Sequence, residues 1–238
     1  MKVYILTYDG LVNKTVELYD YLQPKYWPTA DITILGYKPP TYKSDTIKFD
    51  SLGEDTGHTG VPNRLYDYFS KLEDRHFIFG VDDSPFISTV DINLLKVVEE
   101  FLNHNDHVGR FAVTLDEIPR PTQIIKDMKI NEHIINWHES VGNLYKLSGT
   151  WSIWNREYFL KYINKFDNLW QWETAGSSAA VGDGYIVLST NPAILTHAHL
   201  IKRGQFRDEW QHEAVNNQYR MSEEVETKIK QIFKLDDK

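Results

Sequence analysis

Four short, largely apolar runs recur along the first half of this chain, separated from one another by stretches that include helical periodicity. Val3 to Leu6, Asp31 to Gly36, His76 to Val81 and Val108 to Thr114 are too short for buried helices and rich in β-branched and aromatic residues, so they read as buried strands. Between the first two, Val16, Tyr19 and Leu22 recur at helical spacing, with Asn13 or Thr15 placed to cap the start and Pro24 to close it. Pro39 and Pro40 stop the second strand, and Thr46 to Asp50 reads as another short one. The glycine-rich loop from Gly53 to Gly60 then leads to a helix opened by Pro62 and striped by Leu65, Tyr68, Phe69 and Leu72. Asp91 caps a further helix carrying Leu94, Leu95, Val98, Phe101 and Leu102. Strand and helix in alternation imply an α/β fold with a mostly parallel sheet, because parallel neighbours need a crossover.

The second half is patterned differently. It loosens from Pro119 to Trp137, alternates like antiparallel strands from Asn143 to Trp154, and starts a helix at Asn155 that spans Arg156 to Ile163. A Trp-rich segment, a run from Gly184 to Leu188, the pair His197 and His199, and an amphipathic helix on Val225, Ile229, Ile232 and Phe233 follow. We expect one domain over residues 1–238, an α/β half to residue 115 and a mixed α+β half from 116. At 238 residues and 41% hydrophobic the chain can bury one sizeable core.

Composition excludes several functions. A net charge of −8 argues against nucleic acid as partner, since that binding draws on a basic surface. With no cysteine, any metal must use oxygen or imidazole donors. No apolar run reaches about 18 residues, and the opening run turns polar at Thr7, so neither a transmembrane segment nor a signal peptide is expected and a cytoplasmic location follows.

The feature richest in chemistry is Asp82-Asp83, delivered by the apolar run His76 to Val81 and followed by Ser84-Pro85-Phe86. Two adjacent carboxylates at a strand end repel each other and resist desolvation unless a cation sits with them. Mg²⁺ or Mn²⁺, which completes its shell with water and phosphate oxygens, is the natural occupant, and the pair then reads as a nucleotide-diphosphate site. Acidic residues after a strand are also ordinary turn formers and caps. His197 and His199 lie two apart, so in an extended segment both face one way, and either, His199 by preference, would add an imidazole to a metal on Asp83. A surface histidine pair is the plain alternative.

Four segments in this order resemble the GT-A class of nucleotide-sugar-dependent glycosyltransferases, and more closely bacterial and viral enzymes that act on polysaccharide or lipid-linked glycans. They are Phe77 to Phe86 with Val90-Asp91 behind it, Lys146 to Leu160, Trp170-Gln171-Trp172-Glu173, and His199 with Lys202-Arg203-Gly204. The resemblance implies a GT-A fold, Rossmann-like with helices flanking the sheet. It makes 1–115 the nucleotide-sugar-binding half and 116–238 the acceptor side. It also implies metal-assisted transfer from a UDP- or GDP-type sugar donor to a hydroxyl of a glycan or other acceptor. Many members carry an acidic residue two positions before the last metal-binding aspartate. This chain has Val81 there, which leaves Asp83 as the direct ligand of Mn²⁺ or Mg²⁺ and Asp82 as a ribose or water-mediated contact.

Within that reading, Thr7, Tyr8 and Asp9 at the first strand end, and Asn63 and Arg64 opening the helix before the metal strand, are donor-binding candidates, with Lys202 and Arg203 for the diphosphate. Trp151, Trp170 and Trp172 are acceptor-side candidates. Glu173, beside Trp170 and Trp172 whose partly apolar wall would raise its pKa, is the candidate base of an inverting enzyme, and Asp183 is the second choice; a retaining enzyme would use either to steady the donor sugar or an intermediate. Each has a bland counterpart: core for tryptophan, a helix start for Glu173, a turn for Asp183. No Walker or GxGxxG sequence occurs. Two other classes stay open: a nucleotidyltransferase acting on a sugar phosphate through the same carboxylates, and a non-catalytic glycan-binding module.

Overall fold

The computed structural model describes residues 1–114, 125–130, 133–138, 145–202, 205–206 and 221–234. In chain order the elements are β1 (Lys2–Leu6), α1 (Val12–Tyr26), β2 (Asp31–Gly36), β3 (Lys48–Ser51), α2 (Val61–Phe69), β4 (His76–Val81), α3 (Ile92–Asn103) and β5 (Val108–Ala112). Then come β6 (Ile125–Ile130), β7 (His133–His138), β8 (Ser152–Asn155), α4 (Arg156–Ile163), a helical segment over 169–179, β9 (Ile186–Asn191), β10 (Ile201–Lys202), β11 (Gln205–Phe206) and a last helix, Glu223–Lys234. The class is α/β, with strands and helices alternating through the first half of the chain. Among the described residues no helix is long and apolar enough to cross a membrane.

The contacts group the chain into two compact units. The first unit gathers residue 1, 52–79 and 91–194; the second gathers 2–51, 80–90 and 195–238.

In the second unit β1, β2 and β3 are parallel, in the order β3-β2-β1, with Val3 opposite Ile32 and Ile5 opposite Ile34. The middle residues of β1 and β2 are buried throughout, as continuous apolar runs require. α1 is the crossover, and it buries Val16, Leu18, Tyr19 and Leu22. It does not end at Pro24. The proline sits in the last turn, where few intrahelical bonds remain to lose, and Trp27 N still donates to Gln23 O at 2.8 Å. Neither Asn13 nor Thr15 caps it. Asn13 Oδ1 instead accepts the amides of Thr41 and Tyr42, and Thr15 reaches Thr7. The last helix buries Val225, Ile229, Ile232 and Phe233, and its Glu224 bonds Tyr21 and Lys25 of α1.

In the first unit the strands run β4-β8-β5-β9-β7-β6. β8 lies antiparallel between β4 and β5, with Ile153 opposite both Ile78 and Phe111, whereas β5 and β9 are parallel. Asp91 accepts the Leu94 amide at 2.9 Å and Asn155 that of Tyr158 at 3.2 Å, so both sequence-predicted caps are made. The core is aromatic: Phe69 stacks on Phe77 at 4.2 Å, and Phe159 meets Phe69, Phe77 and Trp154 edge-on. Full burial of each phenyl stabilises by about 1.5–3 kcal/mol before the geometry of the pairs is counted. Arg110 is buried in this core, and its guanidinium donates to Ser152 Oγ, Thr150 Oγ1 and the carbonyls of Tyr145 and Lys146, which offsets its desolvation.

Candidate functional site

The apolar run of β4 releases its two aspartates at a defined place. Asp82 N donates to Leu6 O at 3.0 Å, so the pair leaves the strand beside the carboxyl end of β1. There Thr7 turns its hydroxyl onto Asp82 Oδ2 at 2.5 Å, while Thr15 Oγ1 stands 3.0 Å from Thr7 Oγ1. With its one proton given to the carboxylate, Thr7 accepts that of Thr15. Asp82 is only 8% exposed. Burial pushes its carboxyl up to about 7; the Thr7 hydroxyl opposes this and the neighbouring Asp83 adds to it.

Asp83 is half-buried and points elsewhere. Beyond it the chain runs antiparallel to 196–200: Leu200 N donates to Asp83 O, Ala198 N to Pro85 O and Ile87 N to Thr196 O, and Phe86 bridges His197. This register sets Ser84 opposite His199. Ser84 Oγ lies 2.9 Å from Asp83 Oδ1 and 2.7 Å from His199 Nδ1. The rings of His197 and His199 meet edge to face at 5.1 Å, on one side of their segment, as a spacing of two in extended chain requires.

Tyr8 is 48% exposed, and burial together with the charge of Asp82 pushes its hydroxyl upward. Its ring lies over Gly10, where a Cβ would fall 2.7 Å from Tyr8 Cε2. Asp9 holds the loop after β2, accepting from Lys38 N at 3.0 Å and pairing with Lys38 Nζ at 3.2 Å.

The other expected residues lie in the first unit or beyond the described side chains. Asn63 is exposed and Arg64 half-buried at the start of α2. The side chain of Lys202 and the whole of Arg203 lie outside the described residues. Trp151 and Trp172 are fully buried, so they are core and have no face to offer a sugar; Trp170, 72% exposed, is the indole of the three that does. Trp172, where the segment 169–179 passes into a π-helix that runs to Gly176, packs on Trp154 and Phe159. Glu173, in the same stretch, accepts the Gly149 amide at 2.5 Å and the Ser148 hydroxyl at 3.3 Å, so its carboxylate braces that loop.

Asp183 is the counterion of a buried lysine. It accepts from Lys146 Nζ at 2.6 Å, Tyr162 OH at 2.9 Å and Tyr185 N at 3.0 Å, and Lys146 also donates to the carbonyls of Ala180 and Tyr185. Burial lowers the Lys146 pKa and Asp183 raises it. Sequence reasoning missed this pair and the bonds of Thr7 and Ser84. The signal for Ser84 was its place after Asp83; its partner is fixed by a register that no spacing reveals.

Among the described residues no three His, Asp or Glu side chains gather closely enough to enclose a metal. An ion that keeps several waters and takes phosphate oxygens needs fewer protein ligands. Asp83 could supply an oxygen donor and His199 an imidazole to such an ion, and both lie against Ser84.

No protein-family model matches the chain, nor does any curated protein. In fold it is similar to CMP:2-keto-3-deoxy-manno-octonic acid synthetase complexed with CTP, with 10% identity, a TM-score of 0.42, and 81% of this chain and 92% of that one covered. It is also similar to two crystal structures of S. aureus TarS. One has 14% identity and a TM-score of 0.46 and covers 82% of this chain and 59% of that one; the other has 12% and 0.43 and covers 79% and 35%. At these identities the similarity concerns architecture alone.

Proposed function

We propose that this protein is a glycosyltransferase that binds a nucleoside-diphosphate sugar through Mn²⁺ or Mg²⁺ at Asp83 and passes the sugar to a hydroxyl of a glycan or other acceptor. The observation that carries this reading is the pair Asp82-Asp83 held beside the carboxyl end of β1, since open α/β sheets bind ligands outside the carboxyl ends of their strands. Asp83 and His199 would hold the cation, which neutralises charge on the departing diphosphate. Asp82 is locked by Thr7, and the exposed ring of Tyr8 would offer a face to the nucleoside. Glu173, fixed by Gly149 and Ser148, is the base we assign, and Trp170 the acceptor-side indole.

The test is thermal denaturation with UDP, GDP, CMP, dTDP, UTP or GTP, with and without Mn²⁺, on wild type and Asp83→Ala. A ligand that binds only the folded state raises its melting temperature. A diphosphate-dependent rise that needs both Mn²⁺ and Asp83 is expected. A preference for triphosphates would replace this reading with nucleotidyl transfer, and no rise under any condition would leave only a binding module.

A further inference from the structure

Lys146 is 1% exposed, and its amino group faces three oxygens. Nζ donates to Ala180 O at 2.8 Å, Asp183 Oδ1 at 2.6 Å and Tyr185 O at 2.8 Å, and it lies 5.8 Å from the centre of the Tyr158 ring. Those oxygens come from one short stretch, 180–185, which must curl to aim them at a single point. Gly182 and Gly184, at φ +73° and +86°, supply left-handed turns on either side of Asp183. Asp183 also accepts from Tyr185 N and Tyr162 OH, and Lys161 Nζ stands 3.8 Å from Oδ2, which are the surroundings of a carboxylate. The proton count then decides the charge of the lysine. A primary ammonium has three protons to give and three acceptors receive them, whereas a neutral amine would turn a lone pair on one of those oxygens. Burial lowers the Lys146 pKa, so the acceptors are what hold the proton.

We infer that residues 180–185 form a cage for a primary ammonium, that the Lys146 side chain is its resident ion, and that a free alkylammonium ion takes its place when Lys146 is shortened. Two peptide carbonyls and one carboxylate carry a single negative charge, and the Tyr158 ring adds an aromatic wall, so the cage suits one positive charge. An ion without N–H bonds would bring the charge but none of the three hydrogen bonds, which are the directional part of the fit. The cage ties the end of the helical segment 169–179, through the carbonyl of Ala180, to the start of β9, through Tyr185. It stands whether or not Asp83 binds a cation.

The experiment is thermal denaturation of Lys146→Ala at pH 7 in propylammonium chloride, the ion that replaces the atoms removed, with sodium, potassium and tetramethylammonium chloride at the same concentration for comparison. The variant leaves Asp183 without its buried counterion and should melt roughly 6–20 °C below wild type. Propylammonium at about ten times its dissociation constant should return about 3–6 °C, with no such rise in wild type. No rise specific to the variant, or an equal rise with potassium or tetramethylammonium, would overturn the inference. Should Lys146→Ala not fold, the wild type decides. A ¹H–¹⁵N correlation of its lysine side chains should show an ammonium signal that is protected from exchange at pH 7 and lost in Lys146→Arg, and a neutral amine at Lys146 would refute the cage.

Discussion

Replacing Asp82 by asparagine should make the metal-free protein more stable at pH 8. The unfolded chain loses the Asp82 proton near 3.8, whereas burial keeps it in the folded state up to about 7. Between those values the unfolded state is favoured as pH rises, and above about 7 the loss is complete. Roughly three pKa units at about 1.4 kcal/mol each give an upper bound of about 4 kcal/mol. Asparagine keeps an acceptor for Thr7 but gives up the stronger bonds that a carboxylate forms with a hydroxyl and an amide, so we expect a net gain of about 1–3 kcal/mol. For a chain of this size that raises Tm by about 2–10 °C. The assay is thermal or urea denaturation in EDTA at pH 4, 6 and 8, read as the difference between variant and wild type, so that titrations common to both cancel. The difference should be near zero at pH 4 and grow steadily to pH 8. A variant no more stable than wild type at pH 8, with a difference flat in pH, would refute the reasoning.

Three further outcomes are expected. Asp183→Ala strands a buried ammonium and should cost about 3–5 kcal/mol in urea unfolding, and Lys146→Met added to it should recover part of the loss in a double-mutant cycle. Trp172→Ala should lower stability by about 3–5 kcal/mol, while Trp170→Ala should leave the urea midpoint nearly unchanged, because the first indole is core and the second is exposed. Gly10→Ala places a methyl against the Tyr8 ring, and it should weaken Mn²⁺-dependent UDP binding by about tenfold in calorimetry while moving Tm little.

Much of the frame was legible because strand and helix periods differ. The run His76 to Val81 is β4 to the residue, and Asp91 and Asn155 cap the helices expected of them, since capping is a local bond between near neighbours. What failed to show was long-range. A tryptophan reads the same in a core as on a sugar-binding face, and only the packing around the helical segment shows that Trp172 is buried while Trp170 is exposed. Asp183 looked like a loop aspartate between glycines because its partner, Lys146, is far away in sequence and only folding brings them together. At the acidic pair, sequence supplied the residue types, but the assignment of Asp82 inward to Thr7 and Asp83 toward Ser84 is a matter of which side of the backbone each leaves.

The antiparallel placement of β8 also governs how the chain must be made. β4 and β5 are both complete by residue 112, yet the strand that joins them arrives only at 152–155. During synthesis, therefore, an apolar strand of sequence HFIFGV waits with one row of amides and carbonyls uncovered, the kind of edge that pairs with another chain. Truncation anywhere before 155 makes that wait permanent. A fragment ending near 115 should aggregate, and a nascent chain stalled there is a natural client for a chaperone that recognises exposed apolar strands.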